Sequence, residues 1–127
     1  MMTGSTLKII GNNIEITSHY LSNAAIRNEG NAEISGNILI QNTAPNAYNV
    51  IDNWATGVLK ISGNVIVTGQ CAGSSLVNMG TLNMTGGSVI NTKSGSYWYA
   101  INNTGTATIT SNVITQPENS GTITIID

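Results

Sequence analysis

Phenylalanine is missing from this 127-residue chain, there is one cysteine and one histidine, and only 8% of residues are charged. Each shortage excludes something. Cys71 alone can form no internal disulfide, and with His19 the single imidazole, no zinc ligand set can be assembled within one chain. No metal and no cofactor is expected, and the thiol reads as a buried one. Four basic residues scattered over the whole length, in a chain of net charge -2, make no patch for a phosphate backbone, so nucleic acid is not an expected partner. Lys, Arg and Glu are too sparse for ordinary amphipathic helices. No apolar run is long enough to cross a bilayer, so no membrane insertion is expected, and the opening "MMTGSTLKII" lacks the basic region, apolar stretch and cleavage site of a secretion signal. The length suits one domain, residues 1–127, with a real core.

What fills the space is Asn, Thr, Ser and Gly, with Ile, Val and Leu recurring among them, a mixture that favours pleated strands. Aligned on their glycines, five segments cover the chain: "GSTLKIIGNNIEIT" from Gly4, "GNAEISGNILIQ" from Gly30, "GVLKISGNVIVT" from Gly57, "GTLNMTGGSVIN" from Gly80 and "GTATITSNVIT" from Gly105. A stricter column runs through Asn28, Asn53, Asn78 and Asn103 at 25-residue steps, each preceded two positions earlier by Ile26, Ile51, Leu76 or Ile101. The same step lands on Ile126. The glycine spacings of 27 and 23 deviate equally and oppositely, which predicts a two-residue insertion at residues 54–56 and a shorter loop at 69–74.

A fixed period of this length, built from short β-type runs between Gly-Asn turns, predicts a solenoid. Leucine-rich repeats share the period but need closely spaced leucines that this chain lacks. The expected fold is an all-β, right-handed parallel β-helix of five coils of about 25 residues, stacked roughly 4.8 Å apart. Leu7, Ala32, Leu59, Leu82 and Ala107 make one inward column, and Ile9, Ile34, Ile61, Met84 and Ile109 the next, at same-face spacing. Between them Lys8, Glu33, Lys60, Asn83 and Thr108 face out, with alternating charge that resists slippage, and Arg27 stacks over Asp52 in the same way. The asparagine column reads as a structural amide ladder like those of cross-β stacks.

The units "GTLNMTGGSVINTKSGSYWYAINNTG" and "LKISGNVIVTG" resemble the degenerate repeats of pectin-lyase-like right-handed β-helix domains in bacterial and archaeal surface adhesins. The resemblance spans the chain and implies the fold; the same coil serves lyases, tailspikes and adhesins. Enzymes of that kind need clustered carboxylates. Here Glu15, Glu29, Glu33, Asp52, Glu118 and Asp127 scatter over several columns; Asp52 and Asp127 share one but sit three coils apart, about 14 Å. No catalytic residue is assigned, and no enzyme is expected beyond a remnant of a polysaccharide lyase or hydrolase.

Three surface features exceed what a core needs. Tyr20, Tyr48, Tyr97, Trp98 and Tyr99 lie in the arc before the Ile column and are candidate glycan contacts, with Trp54 elsewhere. Strands "NIE", "ILI", "VIV", "SVI" and "VIT" are apolar at both parities. With Ile14, Leu39, Ile66, Val89 and Ile114 inward, Ile38, Ile40, Val65, Val67, Ile90 and Val113 form an outward strip, a candidate subunit contact. Neither end carries an evident polar cap. The expected function is therefore a structural, adhesin-like β-helix, extracellular or at the cell surface in an exported assembly, that self-associates, end to end into filaments in its fullest form. The alternative is a glycan-binding module, with polysaccharide as partner.

Overall fold

The computed structural model describes residues 4–93, 99–113, 115, 117–119 and 121–127, with only the backbone of 117–119. Alternation of apolar and polar residues makes strands throughout, and among the described residues there is no helix. The strands are β1 (Thr6–Ser18), β2 (Ile26–Asn28), β3 (Asn31–Ala47), β4 (Ile51–Asn53), β5 (Val58–Cys71), β6 (Leu76–Asn78), β7 (Thr81–Met84), β8 (Ser88–Asn91), β9 (Ile101–Asn103), β10 (Thr106–Thr110), β11 (Pro117–Asn119) and β12 (Thr122–Ile126). One sheet runs β1-β3-β5-β7-β10-β12, with β8 beside β5; the other runs β2-β4-β6-β9-β11. All pairings are parallel. Each circuit of the chain thus adds one rung to each sheet, and the protein is a parallel β-solenoid.

Thr6, Asn31, Val58, Thr81, Thr106 and Thr122 stack at one position, so successive turns take 25, 27, 23, 25 and 16 residues. There are four turns near the expected length and one short turn. The short turn corrects the placement of the C-terminal residues. Pro117, not Ile126, stacks on Ile101, while Ile126 pairs with Thr110 in the first sheet. The "GTITI" beginning at Gly121 pairs with the matching "GTATI" beginning at Gly105, and this similarity overrides the 25-residue count. Asp127 consequently follows the first sheet and does not share a column with Asp52.

The two inward columns are buried from the second rung on, Ala32 and Ile34 through Ala107 and Ile109, while Leu7 and Ile9 on the first rung are partly buried against them. In the outward column between them Lys8 and Glu33 form an exposed ion pair at 3.8 Å, worth a few tenths of a kcal/mol at this exposure and more useful for register than for stability. Burial on the long strands bends around glycines. Gly36 has φ 112° and a Cβ there would overlap the carbonyl oxygen of Gly11, so the bend between the two halves of β3 can hold no other residue type.

Beyond that bend the expected parity is reversed in two turns. Ile38, Ile40, Val65 and Val67, expected on the surface, are at most 2% exposed in the core; Val113 is partly buried against it. Leu39 and Ile66, expected inside, are half-exposed, while Ile14 and Val89 do pack inward. Ile90 does face out, 40% exposed, and Ile114 lies outside the described residues. The cause is one additional residue in the first turn and one residue fewer in the fourth, where Met84 to Ser88 is four steps against five from Ile61 to Ile66. The register of β1 on β3 shifts at Asn12/Ile14, where Asn13 has φ 58°, and Gly87, with φ 87°, precedes β8. Ile14, Ile38 and Val65 therefore stack, as do Val67 and Val89. A one-residue slip exchanges the two faces of a strand. The apolar outward strip is therefore reduced to Leu39, Ile66 and Ile90.

Two predictions follow from this packing. Val65→Asp should abolish cooperative unfolding or cost at least about 4 kcal/mol, since it buries an unpaired charge, whereas Ile66→Asp should cost about 1 kcal/mol or less, both read by urea titration. Cys71 is fully buried, and its burial pushes the thiol above its ordinary range, with a hydrogen bond from Ser75 at 3.9 Å opposing in part. A raised folded value means that stability is complete below the unfolded thiol's pKa, about 8.5, and declines as the pH rises beyond it. Wild type should therefore lose more stability between pH 8 and 10 than Cys71→Ala.

Candidate functional site

The second sheet is built from three-residue strands in which the outer two side chains point in and the middle one points out. The last residue of each is asparagine, fully buried. Asn28 Nδ2 donates to Asn53 Oδ1 at 2.8 Å, Asn53 to Asn78 at 2.7 Å and Asn78 to Asn103 at 2.6 Å. Remaining donor capacity goes to carbonyls of the adjoining rungs, Asn53 to Thr81 and Asn78 to Thr106, both at 3.1 Å. Asn119 stacks on Asn103 by backbone register. The following glycines let rungs approach, since a Cβ at Gly105 would overlap the carbonyl oxygen of Gly80.

One residue before each asparagine comes the outward column, Arg27, Asp52, Val77 and Asn102. One residue after it come Trp54 and Met79, whose amides bond to Asn28 and Asn53 carbonyls. Trp54 opens the inserted turn, closed by a bond from the Gly57 amide to the Trp54 carbonyl at 2.8 Å. On the other side the loops before the sheet differ in length. Asn42 and Val50 stack under Gly69 and Ser75, so the second turn spans eight residues where the third spans six. The longer loop carries Tyr48; the shorter carries Gly73.

These pieces enclose a cleft of about 550 Å³, with Asp52, Val77 and Asn102 in its floor, Trp54 and Met79 on one flank and Tyr48 and Gly73 on the other. Trp54 is fixed on two sides: its Nε1–H donates to Asp52 Oδ2 at 2.9 Å, and the Arg27 guanidinium lies 4.6 Å from the ring centroid. Arg27 in turn pairs with Asp52 at 3.6 Å. The Tyr48 flank is stitched by side-chain amides, that of Asn42 buried and that of Asn91 half-buried. Asn42 Nδ2 donates to the carbonyls of Tyr20 and Asn49, and Asn91 Nδ2 to those of Cys71 and Gly73. The walls are thus held by hydrogen bonds while Tyr48 remains 65% exposed and Trp54 38% exposed.

Of the expected aromatic arc, Tyr48 lines the cleft; Tyr20 is exposed outside it, Tyr99 is half-buried, and Tyr97 and Trp98 lie outside the described residues. Trp54, read as an outlier, is instead its central aromatic. Arg27 and Asp52, read as a register pair, do form that pair and also line the cleft. Asp52 is the only carboxylate among the described lining residues, and no group of three or more His, Cys, Asp or Glu able to hold a metal occurs among the described residues. Compared with protein-family models, curated proteins and solved structures, the chain matches none. Fold and site define a parallel β-solenoid with an aromatic-walled, charge-balanced cleft.

Removing a rung of the ladder should be costly. Asn53→Ala leaves the Asn28 donor and Asn78 acceptor without their partner and should destabilise by about 2–4 kcal/mol in urea unfolding. Asn64→Ala breaks an exposed amide pair with Asn37 (3.0 Å) and should change stability by about 0.5 kcal/mol or less.

Proposed function

We propose that this chain is a non-enzymatic, adhesin-like β-solenoid, presented outside the cell or at its surface, whose cleft binds a glycan. The observation that carries this reading is the pairing of exposed aromatic and apolar flanks with a hydrogen-bonding floor in one cleft of about 550 Å³. Sugar rings offer C–H faces to aromatic side chains and hydroxyls to carboxylate, guanidinium and amide groups, which is the combination on display here. The rigid rungs add a low ordering cost on binding. A lone carboxylate in ion pair with Arg27 is poorly suited to acid–base cleavage, which supports binding over hydrolysis.

Self-association, end to end, is the second reading, and it now rests on the two end rungs rather than on a lateral strip. Ile10 on the first rung and Ile125 and Ile126 on the last are exposed, and β1 and β12 each have one edge unpaired among the described residues. Such edges accept further strands.

Replacing Trp54 with Ala should weaken retention on a polysaccharide array at least about tenfold, close to 1.4 kcal/mol, while thermal unfolding moves by only a few degrees. Tyr20→Ala, outside the cleft, should be retained as wild type is. Equal retention of Trp54→Ala and wild type on every bound polysaccharide sinks the glycan reading. Static light scattering across a concentration range tests the second reading, with growth in mass expected and a concentration-independent monomer opposing it.

A further inference from the structure

We infer that the glycan is neutral and extended, lies parallel to the solenoid axis, and is met one sugar per rung over four rungs. The inference rests on the glycan reading above and adds ligand class, direction and length.

Direction comes from the floor. Arg27, Asp52, Val77 and Asn102 are one position repeated on four successive parallel strands. Rungs are about 4.8 Å apart, so the column spans about 14 Å along the axis. A pyranose in an extended chain advances by a similar distance, roughly one rung spacing. Each successive ring therefore meets an equivalent position. The flanks run the same way, with Trp54 and Met79 stacked on one side and the Tyr48 loop on the other. A chain lying crosswise would have to pass over both flanks.

Ligand class comes from charge. The lining side chains include one cation and one anion, and those two are paired at 3.6 Å, with Trp54 donating to the same carboxylate oxygen. A ligand carboxylate that reached Arg27 would also lie beside the Asp52 carboxylate, so acidic sugars are disfavoured. Hydroxyls can bond to the same pair without breaking it. The rungs are not equivalent in chemistry. Arg27 and Asp52 offer charge-assisted hydrogen bonds at one end, Val77 an apolar contact in the third rung, where the flank is bare backbone at Gly73, and Asn102 an amide in the fourth.

Isothermal titration of wild type with linear β-1,4-linked gluco-, xylo- and manno-oligosaccharides of one to six units, in low and high salt, tests this. In the series that binds, affinity should rise several-fold with each unit up to four and stay flat at five and six, with little salt dependence. Asn102→Trp, which fills the fourth rung, should move the plateau to three units; if that variant does not fold, the wild-type length series decides alone. Affinity already maximal at one or two units, or tighter and salt-sensitive binding of oligogalacturonates, overturns the inference while the glycan reading stands. Silence of all three neutral series from a protein retained on the polysaccharide array does the same. Silence on the array as well overturns both.

Discussion

Everything in this solenoid depends on a buried amide that can be satisfied at one height only. Asn28, Asn53, Asn78 and Asn103 sit fully inside an apolar interior, where an unpaired amide costs on the order of 1–3 kcal/mol for each orphaned group. Each pairs with the asparagine of a neighbouring rung. A turn that slipped by one residue would lose those bonds and exchange inner and outer faces together. The ladder therefore fixes the register of the second sheet, and with it the column next door. Arg27 stands over Asp52 because Asn28 stands over Asn53.

The regular rungs and the cleft divide the work. Rungs supply rigidity and a floor of repeated positions. The flanks come from places where the chain departs from its repeat: Trp54 from an inserted turn, Tyr48 from a longer loop in the second turn, Gly73 from the shorter loop that follows. Buried Asn42 and half-buried Asn91 hold those loops by bonding to their carbonyls, as the ladder holds the strands. Irregular connections placed by a regular scaffold are where binding residues are usually found.

Legibility of the sequence follows the same division. The parallel solenoid, its two inward columns and the ladder asparagines are visible because the asparagines recur every 25 residues over four rungs, the glycine spacings of 27 and 23 offset each other, and the two-residue alternation repeats after each glycine. Parity beyond the bend was not legible. One additional residue at Asn13 and one residue fewer before β8 are invisible to a strict count; the first exchanges the faces of Ile38 and Leu39 relative to Ile14, and the second returns Val89 to the inside. The last turn misled for a similar reason, since counting 25 residues from Ile101 reaches Ile126 whereas the glycine-threonine match at Gly121 shortens the turn. For the cleft, the step through Arg27, Asp52, Val77 and Asn102 was readable as a column. Its meeting with Trp54 and Tyr48 was not, because loop length and fold direction bring them together.

The most direct test of the ladder as the organising constraint is hydrogen exchange of side-chain amides by NMR. If the ladder is continuous and buried, the Nδ2 hydrogens of Asn53 and Asn78 exchange only as the whole solenoid opens, at rates that track the core backbone amides. The exposed Nδ2 of Asn64 exchanges orders of magnitude faster. Ladder amides that exchange as quickly as that of Asn64 would contradict the account, because the register of the cleft floor would then have to be held by something else.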